Sequence, residues 1–117
     1  MTLEPIPSPD SPVLKEILRR VVETAQPLRV YLFGSTARGE AGPDSDYDLM
    51  LVVPDDTPED RRRGGYVRRA LRGLDPCAAV DIVIYRKSKF EKQATHVKAS
   101  LPSHVVTQGK LLYDQSP

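Results

Sequence analysis

Residues 29–53 read RVYLFGSTARGEAGPDSDYDLMLVV, and the order of apolar and polar residues in this stretch decides the fold. The run Arg29 to Phe33 has the composition of a buried strand. Gly34-Ser35 stands where that strand must turn, and after ten intervening residues Asp46-Tyr47-Asp48 leads into LMLVV, a second strand from about Tyr47 to Val53. Alternation along a strand puts Asp46 and Asp48 on one face, about 7 Å apart, with Tyr47 on the other. Two carboxylates that close repel each other. Their natural partner is a hard divalent cation such as Mg²⁺, which takes oxygen ligands, keeps several waters and bridges to substrate phosphates. A glycine at the turn lets backbone approach a ligand closely, and Ser35 then offers a hydroxyl and an N–H at the start of a helical turn. The stretch is expected to be a phosphate cradle beside a metal site. Asp44, after Gly42-Pro43, reads as turn chemistry.

The rest of the chain supplies the elements around it. Residues 1–10 carry three prolines and no periodicity, an expected flexible tail ahead of a single domain over 11–117. From Ser11-Pro12, apolar residues Val13, Leu14, Ile17, Leu18, Val21, Val22 and Ala25 recur at helical spacing, and Pro27 should stop that helix. Thr57-Pro58-Glu59-Asp60 predicts a second helix that reaches Arg72 and ends at Gly73, with Gly64-Gly65 weakening its first half. A third strand spans Val80 to Tyr85. Ser88-Lys89-Phe90-Glu91 is a capping-box pattern for a third helix, and Gly109 precedes LLYD, a short strand or extended tail.

The motif and these elements together resemble a known family. Gly34-Ser35, ten residues, then Asp46-x-Asp48 is similar to the signature of the nucleotidyltransferase superfamily that includes polymerase β, and Asp81 in VDIVIY looks like its third carboxylate. Alone, Asp81 would read as a strand-edge charge. In length and order the chain resembles the minimal nucleotidyltransferases, small antitoxin-type proteins encoded beside HEPN-domain toxins. The resemblance implies an α/β (α+β) fold of the polymerase β type, a small mixed sheet with helices packed on it. If Ser35, Asp46 and Asp81 share a site, the first two strands run antiparallel and the second and third parallel, with the 59–72 helix as their crossover.

What the resemblance implies chemically is Mg²⁺-dependent transfer of AMP from ATP to a hydroxyl, such as tyrosine, of a HEPN toxin. Asp46, Asp48 and Asp81 would be the catalytic and metal-binding carboxylates, holding two ions, with Gly34, Ser35 and Arg38 on the nucleotide phosphates. Arg38 could be a bidentate phosphate donor or a solvated helix-end charge. Two other readings stay open: an antitoxin that acts by stoichiometric binding, and a small-molecule nucleotidyltransferase of the aminoglycoside-modifying kind. Larger relatives grip base and acceptor with a further domain, so here the acceptor is expected to be held largely by a partner. No residue is identifiable as a base reader.

Composition narrows the surroundings. At 117 residues, with 39% hydrophobic residues and a formal net charge of +1, the chain has the size of one small globular domain and no general pull toward nucleic acid or membrane. No apolar stretch approaches the roughly 20 residues needed to span a bilayer, so a cytoplasmic protein is expected. The single cysteine, Cys77, reads as a packed residue, and His96 and His104 as surface residues. Tyr113 reads as packing. Six arginines, Arg61, Arg62, Arg63, Arg68, Arg69 and Arg72, fall within twelve residues. They form either a solvated face balanced by Asp55, Asp56, Glu59 and Asp60, or a docking face for an acidic protein or RNA. Tyr66 is the only stacking platform among them, so direct nucleic-acid binding is not expected.

Overall fold

In the computed structural model, which describes residues 12–39, 46–74 and 80–115, the apolar stripe of the first helix coils into α1, Pro12–Ala25, with Leu14, Ile17 and Val21 buried. Its polar side is held by i,i+3 and i,i+4 pairs. Glu16 accepts from both Arg19 and Arg20, and these two guanidiniums hold its carboxyl down at about 2. The chain turns at Gln26, passes Pro27 and enters β1, Arg29–Phe33, then the single helical turn α2, Gly34–Ala37. β2, Tyr47–Val53, is followed by a 3-10 turn over Glu59–Arg62, by α3, Gly64–Arg68, and by a second 3-10 turn over Arg69–Leu71. β3, Val80–Arg86, runs straight into α4, Lys87–His96; α5, Leu101–Gln108, and β4, Lys110–Asp114, complete the described fold.

The sheet order is β3-β2-β1-β4. β1 pairs antiparallel with β2 and with β4, while β2 and β3 are parallel, so the expected mixed sheet is observed. β2 is central and covered on both faces, which is why LMLVV is an unbroken apolar run rather than an alternation. Its odd-numbered residues Tyr47, Leu49, Leu51 and Val53 pack in one core cluster with Leu14, Ile17, Val21 and Val67, under α1 and α3. Met50 and Val52 face the other way, into a second cluster with Phe90 of α4 and Val105 of α5.

Three elements differ from the sequence expectation. The helix expected to run from Thr57 to Arg72 is broken into three short pieces: Arg63 is extended at φ −96°, ψ 134°. The break lets Gly64 lie against β3, where a Cβ would come within 2.9 Å of the Ile82 carbonyl oxygen. The capping box at Ser88 is not used. α4 starts one residue earlier, and the cap comes from a distant loop: Ser88 N–H donates to Asp55 Oδ1 at 2.9 Å. α5 was not foreseen at all; its Ser100 hydroxyl accepts from Ser103 N–H at 3.2 Å, with a proline in the first turn. Of the two expectations for the segment after Gly109, the short strand is the one observed, paired with β1 at the sheet edge. The expected N-terminal tail, Asp44 and Cys77 lie outside the described residues.

Candidate active site

The motif residues collect at one end of β1, β2 and β3. β1 ends at Phe33, whose register partner on β2 is Asp48. Asp48 in turn stands opposite Asp81 on β3, so two carboxylates occupy the same rung of neighbouring strands. Adjacent strands are only about 4.8 Å apart, which places like charges side by side. Asp46 lies two residues before Asp48, exposed at the strand entrance, while Tyr47 between them is buried on the opposite face.

Gly34 and Asp48 are packed together. Gly34 has φ +77°, a left-handed conformation that favours glycine, and a Cβ there would run into the Asp48 carboxylate at Oδ2. No other residue satisfies both conditions, so the turn out of β1 is built around this carboxylate. Ser35, half-buried, follows in α2. Arg38 closes that turn through its backbone, its N–H donating to the Gly34 carbonyl at 3.3 Å, and its side chain is exposed.

One positioning residue escaped the sequence reading. Thr36 is fully buried, and its hydroxyl donates to the backbone carbonyl of Asp46 at 2.9 Å. This bond ties the helical turn after Gly34-Ser35 to the start of the aspartate pair across ten residues of chain. A threonine next to Ser35 carries no periodic signal; only its burial identifies the role.

The electrostatics follow from the geometry. The Asp48 carboxyl is pushed up from its ordinary value, first by burial and then by the negative charges of Asp81 and Asp46. Asp81 is more exposed, and its Oδ1 lies 4.0 Å from Nη2 of Arg68 in α3. Among the described residues no three His, Cys, Asp or Glu side chains stand as a ready metal cluster. The donors present nevertheless suit a hard divalent cation. They are all oxygen, they repel one another, and small hard ions are usually held by one or two carboxylates with water and substrate phosphates completing the shell.

A family model described as a nucleotidyltransferase domain matches residues 14–112. The chain belongs to this family. Solved structures agree on the fold of the nucleotidyltransferase domain. A Sulfolobus solfataricus protein assigned as a nucleotidyltransferase is 24% identical, with 88% of this chain and 78% of that one covered and a TM-score of 0.57. A toxin–antitoxin structure with AMP-PNP is 24% identical, covering 87% and 74%, at a TM-score of 0.58. A MntA–HpeT toxin–antitoxin complex is 22% identical, covering 88% and 71%, at 0.52. No curated protein matches the chain. The matched region covers β1, β2 and β3 and ends within β4, and it contains Gly34, Ser35, Asp46, Asp48 and Asp81.

Proposed function

We propose that this nucleotidyltransferase transfers AMP from ATP to a hydroxyl, such as tyrosine, of a HEPN-type toxin and so neutralises it. The observation that carries the reading is the rung shared by Asp48 and Asp81 with Asp46 beside them, at a turn whose glycine packs on Asp48. An adenine nucleotide and a toxin partner are supported by solved structures of the same fold, a toxin–antitoxin with AMP-PNP and a MntA–HpeT complex.

In this reading the acceptor oxygen attacks the α-phosphorus of ATP. The new O–P bond forms as the bond to the bridging oxygen of the β-phosphate breaks, pyrophosphate departs, and the acceptor proton passes to a base. Asp81 is exposed and beside Asp48, which suits it to accept that proton. Asp46 and Asp48 would hold Mg²⁺, with Asp81 completing a second ion site; bound there, the metal supplies Lewis-acid stabilisation of charge on the attacking and leaving oxygens. Gly34 and Ser35 would hold the β- and γ-phosphates by close backbone approach and a hydroxyl, and the exposed Arg38 would pair with a phosphate oxygen. Thr36 keeps Asp46 in register with the turn.

The test is transfer from α-labelled ATP to the partner, compared between wild type and Asp46→Asn/Asp48→Asn. Label on the partner with Mg²⁺ and wild type, none with the double variant, and a double variant that melts no lower than wild type are expected. Undiminished transfer by a folded double variant contradicts the proposed site.

A further inference from the structure

The segment after Gly64 is clamped at both ends. At its start Gly64 lies on the Ile82 backbone of β3, an approach no larger residue permits. At its end Arg20 of α1, itself paired with Glu16 at 3.0 Å, donates to the carbonyls of Ala70 at 3.3 Å and Arg72 at 2.9 Å. Val67 between the clamps is fully buried. The arginines are therefore presented by backbone fixed against both α1 and the strand that carries Asp81.

Their side chains divide into two groups. In the first, Arg62 is spent on the Thr57 carbonyl at 3.2 Å, Arg63 is 3.9 Å from Glu59, and Glu59 and Asp60 immediately precede Arg61. This half is largely balanced. In the second, Arg68 stands at Asp81, while Arg69 and Arg72 are exposed and have no side-chain partner among the described residues. From Arg61 to Leu74 the sequence holds no acidic residue. Tyr66, the one aromatic that could stack on a base, is instead packed against the core under α1. Two exposed arginines with no side-chain partner among the described residues, and no stacking platform beside them, fit a carboxylate-rich protein surface better than single-stranded RNA.

We propose that Arg69 and Arg72, carried by the clamped segment whose Arg68 stands at Asp81, dock an acidic stretch of the protein that supplies the acceptor hydroxyl. The inference deepens the transferase reading and rests on it for the identity of the acceptor. It places the docking charge on the second half of the arginine run, directly after the Arg68 that lies 4.0 Å from Asp81.

Binding and chemistry are read separately. Three fluorescent probes are titrated against the full chain: a peptide with one tyrosine flanked by glutamates, the same peptide with lysines for the glutamates, and a short duplex RNA. The glutamate peptide should bind the wild type best. Arg69→Glu/Arg72→Glu should weaken it by roughly tenfold at low salt, about what two rim charges contribute. Arg69→Lys/Arg72→Lys should keep most of the binding, and high salt should erase the difference. Melting curves check that the variants fold. Equal binding of both peptides, binding unchanged in the folded glutamate variant, or tighter arginine-dependent binding of the RNA each overturns the docking assignment. AMP transfer to the same tyrosine peptides reports on the transferase reading independently of these affinities.

Discussion

Asp48 and Asp81 face each other across the parallel register of β2 and β3, and the Asp48 carboxylate fills the space a side chain at Gly34 would need. Two like charges on one rung destabilise the bare protein, and the proposed function gives this cost a purpose, the handling of a cation and a polyphosphate. Replacing Asp48 by Asn should therefore raise the melting temperature of the metal-free protein at neutral pH. Folding raises the Asp48 pKa, so the stability linked to its protonated form is present in acid and lost as pH climbs through the raised value. The gap between variant and wild type should close as the pH falls into the ordinary carboxylate range. Melting in the presence of chelator across pH tests this; a variant less stable than wild type at neutral pH contradicts it.

Gly34→Ala imposes two costs at once. A left-handed backbone at φ +77° costs a non-glycine residue about 1–3 kcal/mol, and the new methyl displaces Asp48. Displacement of a reacting group by about an ångström lowers turnover roughly a hundredfold. Transfer assays and denaturant melts on the alanine variant should show both losses, whereas a fully active variant would mean that Asp48 need not sit against the turn.

Thr36→Val keeps the shape of a buried residue and removes the hydroxyl bond to Asp46. The loss should be about 0.5–1.5 kcal/mol of stability, the net worth of one hydrogen bond, since Asp46 is exposed and water can reach its carbonyl. Thr36→Ser restores a hydroxyl and should recover nucleotide affinity more fully than stability, because a methyl is still missing. If serine and valine behave alike in nucleotide binding, the hydroxyl does not position the site.

Asp55 caps α4 from another loop, and its carboxyl is held below the ordinary value chiefly by the Ser88 backbone bond. A depressed pKa contributes stability above the unfolded carboxylate value and loses it as pH falls through the folded one. Asp55→Asn should lower the melting temperature at pH 7 and make no difference in strong acid. A pH-independent difference would point to a loss other than the charge.

What the sequence revealed, and what it hid, follows the range of the forces involved. β1 and β2 were legible to the residue because RVYLF and YDLMLVV are contiguous apolar runs bounded by a glycine and by aspartates. The antiparallel and parallel pairings followed from asking which strand ends could share a site. α5 was hidden because SHVVTQ buries only Val105 deeply and shows no clear stripe, although Ser100 and Pro102 marked its start. The break in the 59–72 segment was signalled by Gly64-Gly65, but its partner, the carbonyl of Ile82 across the crossover, is a contact that no local propensity encodes. The same holds within the site. The Gly-Ser and Asp-x-Asp pairs are local patterns, whereas Thr36 on Asp46, Arg68 at Asp81 and Asp55 on Ser88 are contacts between separated segments.

The most direct test of the account incubates the protein with the HEPN-type toxin proposed as its partner, ATP and Mg²⁺, removes it, and measures the mass and activity of that toxin alone. With wild type the partner should carry one or more AMP units on a hydroxyl side chain and stay inactive after separation; with Asp48→Asn it should be unmodified and recover. Full recovery and unmodified mass after treatment with the wild type would contradict catalysis and leave neutralisation by binding alone.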